Sequence, residues 1–198
     1  MNGTGLQYAD IAPASAIFVD MPNVIMGGEQ QIRKVIVWRA LMKAILNNND
    51  LSGTDVRHAA VYSRNKFEAN EAVMSFKRVL ETYQEKAYVQ AAVQEAKDTD
   101  SLTISDMWES VIEYQQSLIA RSGRLQFPLQ VRHILVSGDG GYLRAYQGLS
   151  RVYGECLQRE LIIYSWRASL NRRLARVANK VYFLDDIPGL VRNNEPAI

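Results

Sequence analysis

Cysteine is almost missing from this chain, with Cys156 alone among 198 residues. A lone thiol excludes an internal disulfide framework, and its apolar neighbours after Gly154 read it as a buried, inert group. No apolar run approaches the roughly 20 residues that a membrane helix needs. The opening Met-Asn-Gly-Thr-Gly lacks the basic-then-apolar layout of a secretory leader. Together these absences suit the cytoplasm, with no membrane contact. Repeats and low-complexity tracts are absent as well, so neither a repeat array nor disorder is indicated. The two histidines, His58 and His133, fall at strand-like positions without a second ligand at metal spacing, and both read as structural. What is present is ordinary for a globular domain: 47% hydrophobic and 22% charged residues. The length suits one domain that buries roughly two-thirds of its unfolded surface.

A net charge of +2 hides an asymmetry. Residues 1–120 carry 11 Lys and Arg against 15 Asp and Glu, whereas residues 121–198 carry 12 against 6. The C-terminal excess is nearly all arginine, including Arg144, Arg151, Arg159, Arg167, Arg172, Arg173 and Arg176. The planar fork of arginine donates two hydrogen bonds at once, which suits phosphate. The competing reading is a solvated surface.

Residues 1–15 lack periodicity and read as a tail or edge segment. Ala16-Ile-Phe-Val-Asp20 is an apolar run stopped by a carboxylate and a Pro-containing turn, the pattern of a strand buried on both faces. After Gly27-Gly28 the spacing predicts an amphipathic helix from Ile32 to Ala44, widened by Leu41, Ile45 and Leu46 and ended by Asn47-Asn48-Asn49-Asp50. Strands over 56–62, 88–93, 131–136, 161–164 and 181–184 alternate with helices over 67–83, 102–119, a stretch after Gly141, and 170–177. Such alternation implies crossover connections, hence an α/β three-layer sandwich with a mostly parallel central sheet and helices on both faces. The domain is expected over 16–187, followed by a tail over 188–198.

In sheets of this kind ligands bind beyond the carboxyl ends of the strands. Asp20 arrives at that edge, and so does Asp139 in Ser137-Gly138-Asp139-Gly140-Gly141-Tyr142. Asp100, in Lys97-Asp98-Thr99-Asp100 before a helix, would join them, although Asp98 or Asp100 equally suits a helix cap. Carboxylates brought together repel unless a cation or proton offsets them. Mg²⁺ meets that need, because it binds one or two carboxylates, keeps several waters and accepts substrate phosphates. Such an ion serves phosphodiester hydrolysis. Gly138, Gly140 and Gly141 either turn N–H groups toward a phosphate or form a tight turn. No Gly-Lys-Ser/Thr follows, so the loop is not a Walker loop. Tyr142 and Tyr146, four apart, either stack on bases or pack on the sheet. Arg144 and Arg151 would then reach solvent as the preferred contacts for a nucleic-acid backbone.

Three segments carry a resemblance to a known family. Ile17-Phe-Val-Asp20-Met-Pro-Asn23 resembles the opening strand and Asp-x-x-Asn turn of the NYN domains, relatives of the PIN-domain ribonucleases. Lys97-Asp98-Thr99-Asp100, with Asp106 six residues on, is similar to the family's Lys-Gly-Val-Asp segment and following helix. Leu135-Val-Ser137-Gly138-Asp139-Gly140-Gly141-Tyr142 looks like its Ser-Gly-Asp-Ser-Asp-Phe motif. The resemblance implies a PIN-like sandwich whose clustered acids hold Mg²⁺ or Mn²⁺ and cut single-stranded or structured RNA. Asp20, Asp100 and Asp139 become catalytic residues and metal ligands, with Asp106 as a further ligand. Asn23 would orient a ligand or phosphate, the alternative being an Asx-turn. Ser137 would hydrogen-bond within the nucleic-acid site. Two positions depart from the pattern: Gly141 stands where the motif has its second acid, and Ala178-Asn179 where the family tends to read Ala-Asp. A metal-dependent endoribonuclease is therefore expected, with a non-catalytic nucleic-acid-binding relative as its rival and a phosphatase or nucleotide-binding protein third. Association into a homo-oligomer is compatible with the sequence.

Overall fold

The central strand β1, Ala14–Asp20, is buried along its whole length. The computed structural model describes residues 14–29, 34–51, 56–63, 66–82, 90–95, 99–123 and 128–193. After β1 come α1 (Met21–Glu29), β2 (Lys34–Ile36), α2 (Trp38–Asn48), β3 (Val56–Ser63), α3 (Lys66–Glu81), β4 (Gln90–Glu95) and α4 (Thr99–Ser122). The second half holds β5 (Leu129–Val136), α5 (Tyr142–Tyr153), β6 (Leu157–Ser165), α6 (Arg172–Val177), β7 (Lys180–Phe183) and β8 (Val191–Asn193). Short 3₁₀ turns lie at Gly154–Cys156 and Leu184–Asp186.

The main sheet has the order β4-β3-β1-β5-β6-β7, and every neighbouring pair is parallel. Parallel pairing forces crossovers, and helices cover both faces, as the alternating pattern implies. Ile17 and Val19 of β1 point to a core shared with Leu41, Met42 and Ile45 of α2 and Val73, Phe76 and Val79 of α3. Ala16 and Phe18 point the other way, to Met107 of α4, Tyr142 and Tyr146 of α5 and Leu174 of α6. The three-layer sandwich is thus built on the period-two alternation of one strand. From β1 the sheet grows outward through β3 to β4, then returns to the other flank of β1 and grows through β5, β6 and β7. The direction of growth reverses between β1 and β5, and at such a reversal the loops part to leave a crevice at the carboxyl edge.

The structure corrects four local expectations. No open turn follows Asp20, because α1 begins at Met21 and includes Gly27 and Gly28. Pro22 is accommodated there, since the first helical turn has no use for the N–H that proline lacks. The helix expected from Ile32 begins only at Trp38, and Ile32 itself lies outside the described residues. Lys34–Ile36 instead pairs antiparallel with Val191–Asn193, and the Val37 amide donates to the Leu190 carbonyl. The β-branched run Val35-Ile36-Val37 favours that extended form. The stretch expected as a C-terminal tail accordingly contributes β8. Cys156, expected to be buried, is exposed in the turn after α5. Tyr83 and Tyr88, expected at a helix end and a strand start, lie outside the described residues.

Close packing pins α1 to the loop after β6. Trp166 Nε1 donates to the Val24 carbonyl at 2.7 Å, and a methyl group at Gly27 would lie 2.2 Å from Trp166 Cδ1. Gly27→Ala is expected to destabilise the protein by about 1–2 kcal/mol, because overpacking outweighs the gain in helix propensity. A urea unfolding curve with a lowered midpoint and unchanged slope checks this.

Candidate functional site at the carboxyl edge

Asp20 ends β1 and is only 3% exposed. A buried carboxylate is costly unless donors surround it, and three segments supply them. The Ser137 hydroxyl donates to Oδ2 at 3.1 Å and the Tyr142 hydroxyl to the same oxygen at 3.0 Å. The Asn23 amide donates to Oδ1 at 3.2 Å, so Asp20 also caps α1. Ser137 is the hinge of the arrangement, because its oxygen also accepts the Asp139 amide at 3.2 Å. The network continues to the Asn23 side chain, whose Oδ1 accepts the Gly138 amide at 2.9 Å. Asn23 therefore ties α1 to the loop after β5, its Oδ1 serving a distant amide and not the local one of an Asx-turn.

Asp139 itself is exposed, with Oδ1 accepting the Gly141 amide at 2.7 Å. Since Val19 and Val136 are register partners, Asp20 and Asp139 emerge from adjacent strand ends at the reversal point. The structure thus brings these two expected acids to one edge. Asp100 lies in the first turn of α4, and its side chain is outside the described residues, as are Lys97 and Asp98 entirely.

Asp106 belongs to a neighbouring polar group. Tyr62, the register partner of Asp20 on β3, donates a short hydrogen bond to Asp106 Oδ2. Burial above all, then this bond and the carboxylate charge, push the Tyr62 phenol far above its ordinary range, so it remains a donor. His58 Nε2 lies 4.0 Å from Asp106 and Nδ1 lies 3.6 Å from Glu113, while the ring packs beside Phe18. His133 approaches the Ser110 hydroxyl at 3.3 Å. Burial, helped by the charges of Arg159 and His58, lowers its pKa to about 3. Both histidines sit in the packed interior, as their strand positions imply.

The glycines after β5 answer to packing. A methyl group at Gly138 would lie 2.4 Å from Ser165 Oγ, and one at Gly140 would lie 2.4 Å from Asn171 Nδ2. The Asn171 amide donates to the Gly138 carbonyl at 2.9 Å. The Gly138 and Gly141 amides are committed to Asn23 and Asp139, so at these two positions the tight-turn alternative holds. Tyr142 and Tyr146 are buried, and base stacking by either ring is excluded in this arrangement. Arg144 and Arg151 lie exposed on α5, as expected if the tyrosines turn inward. Asn179 is remote from the edge, where its side chain accepts the Leu161 amide and its own amide donates to the Leu161 carbonyl. Its departure from the family pattern therefore removes no charge from the crevice. Sequence reasoning missed the roles of the Tyr142 and Tyr62 hydroxyls; the signal for Tyr62 is a strand end level with Asp20.

Among the described residues no three His, Cys, Asp or Glu side chains form a metal-holding group. A hydrated Mg²⁺ or Mn²⁺ takes few protein ligands, and two carboxylates reach this edge. They do not form a closed cage.

Tyr142→Phe keeps the ring but takes one donor from the Asp20 carboxylate, and an expected loss of about 1–3 kcal/mol should appear in denaturant unfolding. His133 should stay neutral, its ring proton shifts unmoved in NMR spectra between pH 7 and pH 4. Its folded pKa, about 3, lies below the unfolded value of about 6.5. Within that window the unfolded chain binds the extra proton, so this contribution to stability is complete above about pH 6.5 and is lost as pH falls toward 3.

No protein-family model matches the chain, and no curated protein matches it. A solved structure does: the crystal structure of a protein of unknown function from Vibrio parahaemolyticus RIMD 2210633, with a TM-score of 0.57 and 18% identity. The alignment covers 93% of this chain and 99% of that one. At this identity the likeness concerns the fold, and it agrees with the α/β sandwich described above.

Proposed function

We propose that this protein is a Mg²⁺- or Mn²⁺-dependent endoribonuclease of the NYN/PIN-like kind, acting on single-stranded or structured RNA in the cytoplasm. The observation that carries the reading is the pairing of Asp20 with Asp139 at the strand reversal, the first held rigid by Ser137, Tyr142 and Asn23 and the second open to solvent. The motifs around both acids resemble that family, and no helix among the described residues is long and apolar enough to cross a membrane.

In this mechanism Asp20 and Asp139 would hold the ion, and Asp100 and Asp106 would be the further acids of the α4 side. The bound ion supplies a polarised water and offsets the charge that develops on the phosphate. Ser137 fixes the Asp20 carboxylate and the Asp139 backbone through one oxygen, so both acids keep a constant relation. Asn23 holds the α1 and β5 loops together behind them. Arg144, exposed in the first turn of α5, would receive a backbone phosphate from that side.

A second reading, a nucleic-acid-binding relative without catalysis, is favoured by Gly141. Where the motif carries an acid, this chain places a backbone amide that occupies Asp139 Oδ1.

The two readings part in a cleavage assay on generic single-stranded RNA with Mg²⁺, Mn²⁺ or chelator. The nuclease reading expects metal-dependent cutting that falls at least about 100-fold in Asp139→Asn, with the circular dichroism spectrum unchanged. Cutting that persists in that variant or in chelator overturns it. RNA binding without cutting transfers the assignment to the binding protein.

A further inference from the structure

The arginine excess of the C-terminal third is not spread evenly around the fold. Between Tyr142 and Val177 the chain has seven arginines and two acids, Glu155 and Glu160. Three of its charged side chains are engaged elsewhere. Glu160 pairs with Arg132 and Lys180, Arg167 pairs with Asp186, and Arg159 lies over the Tyr146 ring. Arg144, Arg151, Arg172, Arg173 and Arg176 are exposed and make no ion pair among the described residues.

Position singles out three of these five. Asn171 is bonded to Gly138 and packed on Gly140, so the residues after it start beside the loop that carries Asp139. Those residues are Arg172 and Arg173. Arg144 stands in the first turn of α5, where the same loop leads into that helix. Arg151 is two turns further along α5, about 10 Å away from the edge. The free amides at the start of α6 do not compete for an anion, because the Asn171 side chain already accepts the Arg173 and Leu174 amides.

We infer that Arg144, Arg172 and Arg173 form a cationic shoulder that holds successive phosphates of an RNA strand beside Asp139. The inference rests on the RNA reading above and refines it: the phosphate path turns from the start of α5 onto α6 and does not run down α5 toward Arg151. An acid-bearing edge repels a polyanion, and arginines of α5 and α6 that make no ion pair among the described residues offset that repulsion where the strand must approach. Their forked geometry suits phosphate oxygens without reading sequence.

Fluorescence anisotropy of a fluorescein-labelled single-stranded oligouridylate, in chelator and across a salt range of roughly 50–200 mM, tests the path. Each phosphate contact on a single strand contributes about 0.7 to the slope of log K against log salt. The variant Arg144→Gln/Arg172→Gln/Arg173→Gln should therefore lose about 2 from the slope of the native protein. A control with the same charge change on the opposite face, Arg39→Gln/Lys43→Gln/Lys77→Gln, should keep the native slope. These side chains are all exposed, and circular dichroism verifies that both variants fold. If the two variants lose the same slope, or neither loses any, the shoulder is refuted while RNA binding by the native protein still stands. If the native protein does not bind the oligouridylate at all, the RNA reading falls and the shoulder with it.

Discussion

A carboxylate that is only 3% exposed must be met by donors, and Asp20 sets that requirement for everything around it. An unmet buried charge costs several kcal/mol, comparable with the whole stability of a domain. The donors come from the first turn of α1, from the end of β5 and from the start of α5. Asn23, Ser137 and Tyr142 thus serve one group, since each either donates to this carboxylate or holds in place a segment that does. The glycines at 138 and 140 belong to the same solution, because the loop bearing Ser137 reaches Asp20 while packed directly against residues 165–171.

The topology decides why such a group is worth keeping. Strand growth reverses between β1 and β5, so the acid-bearing ends of two adjacent strands meet at one edge of the sheet, the place where such sheets bind ligands. The same topology folds the basic last third of the chain around it. The α5 helix follows β5, the strand next to that of Asp20, and α6 follows β6, one strand further out, so their arginines lie on the flank of an acid that comes from the acidic part of the chain. Under the proposed function, a polyanionic substrate and a cation would be the pair of ligands that such a field accommodates together.

Much of this architecture is legible in the sequence. Apolar runs such as Ile17-Phe-Val and Ile134-Leu-Val are continuous because parallel strands are buried on both faces, and that is a local signal. Asp20 and Asp139 are marked by position, because a charge that follows a buried strand meets solvent only at the sheet edge. What escapes depends on partners distant in sequence. The extended form of Lys34–Ile36 needs Val191–Asn193, and the position of Asn23 needs Gly138. A tyrosine at 142 reads as a core ring, and only the fold reveals that its hydroxyl reaches Asp20. Cys156 looks buried from its neighbours, whereas the 3₁₀ turn that follows α5 turns it outward. The glycine loop suggests a phosphate cradle because the same residues serve close packing, and composition cannot separate the two uses.

The central claim is that Asp20 and Asp139 share one divalent ion at the strand reversal. Anomalous diffraction from crystals grown with Mn²⁺ addresses it most directly. The account predicts a manganese peak within bonding distance of carboxylate oxygens from both residues. A peak bound elsewhere on the molecule, or an Asp20 carboxylate fully enclosed by its donors with no manganese beside it at saturating metal, would contradict it.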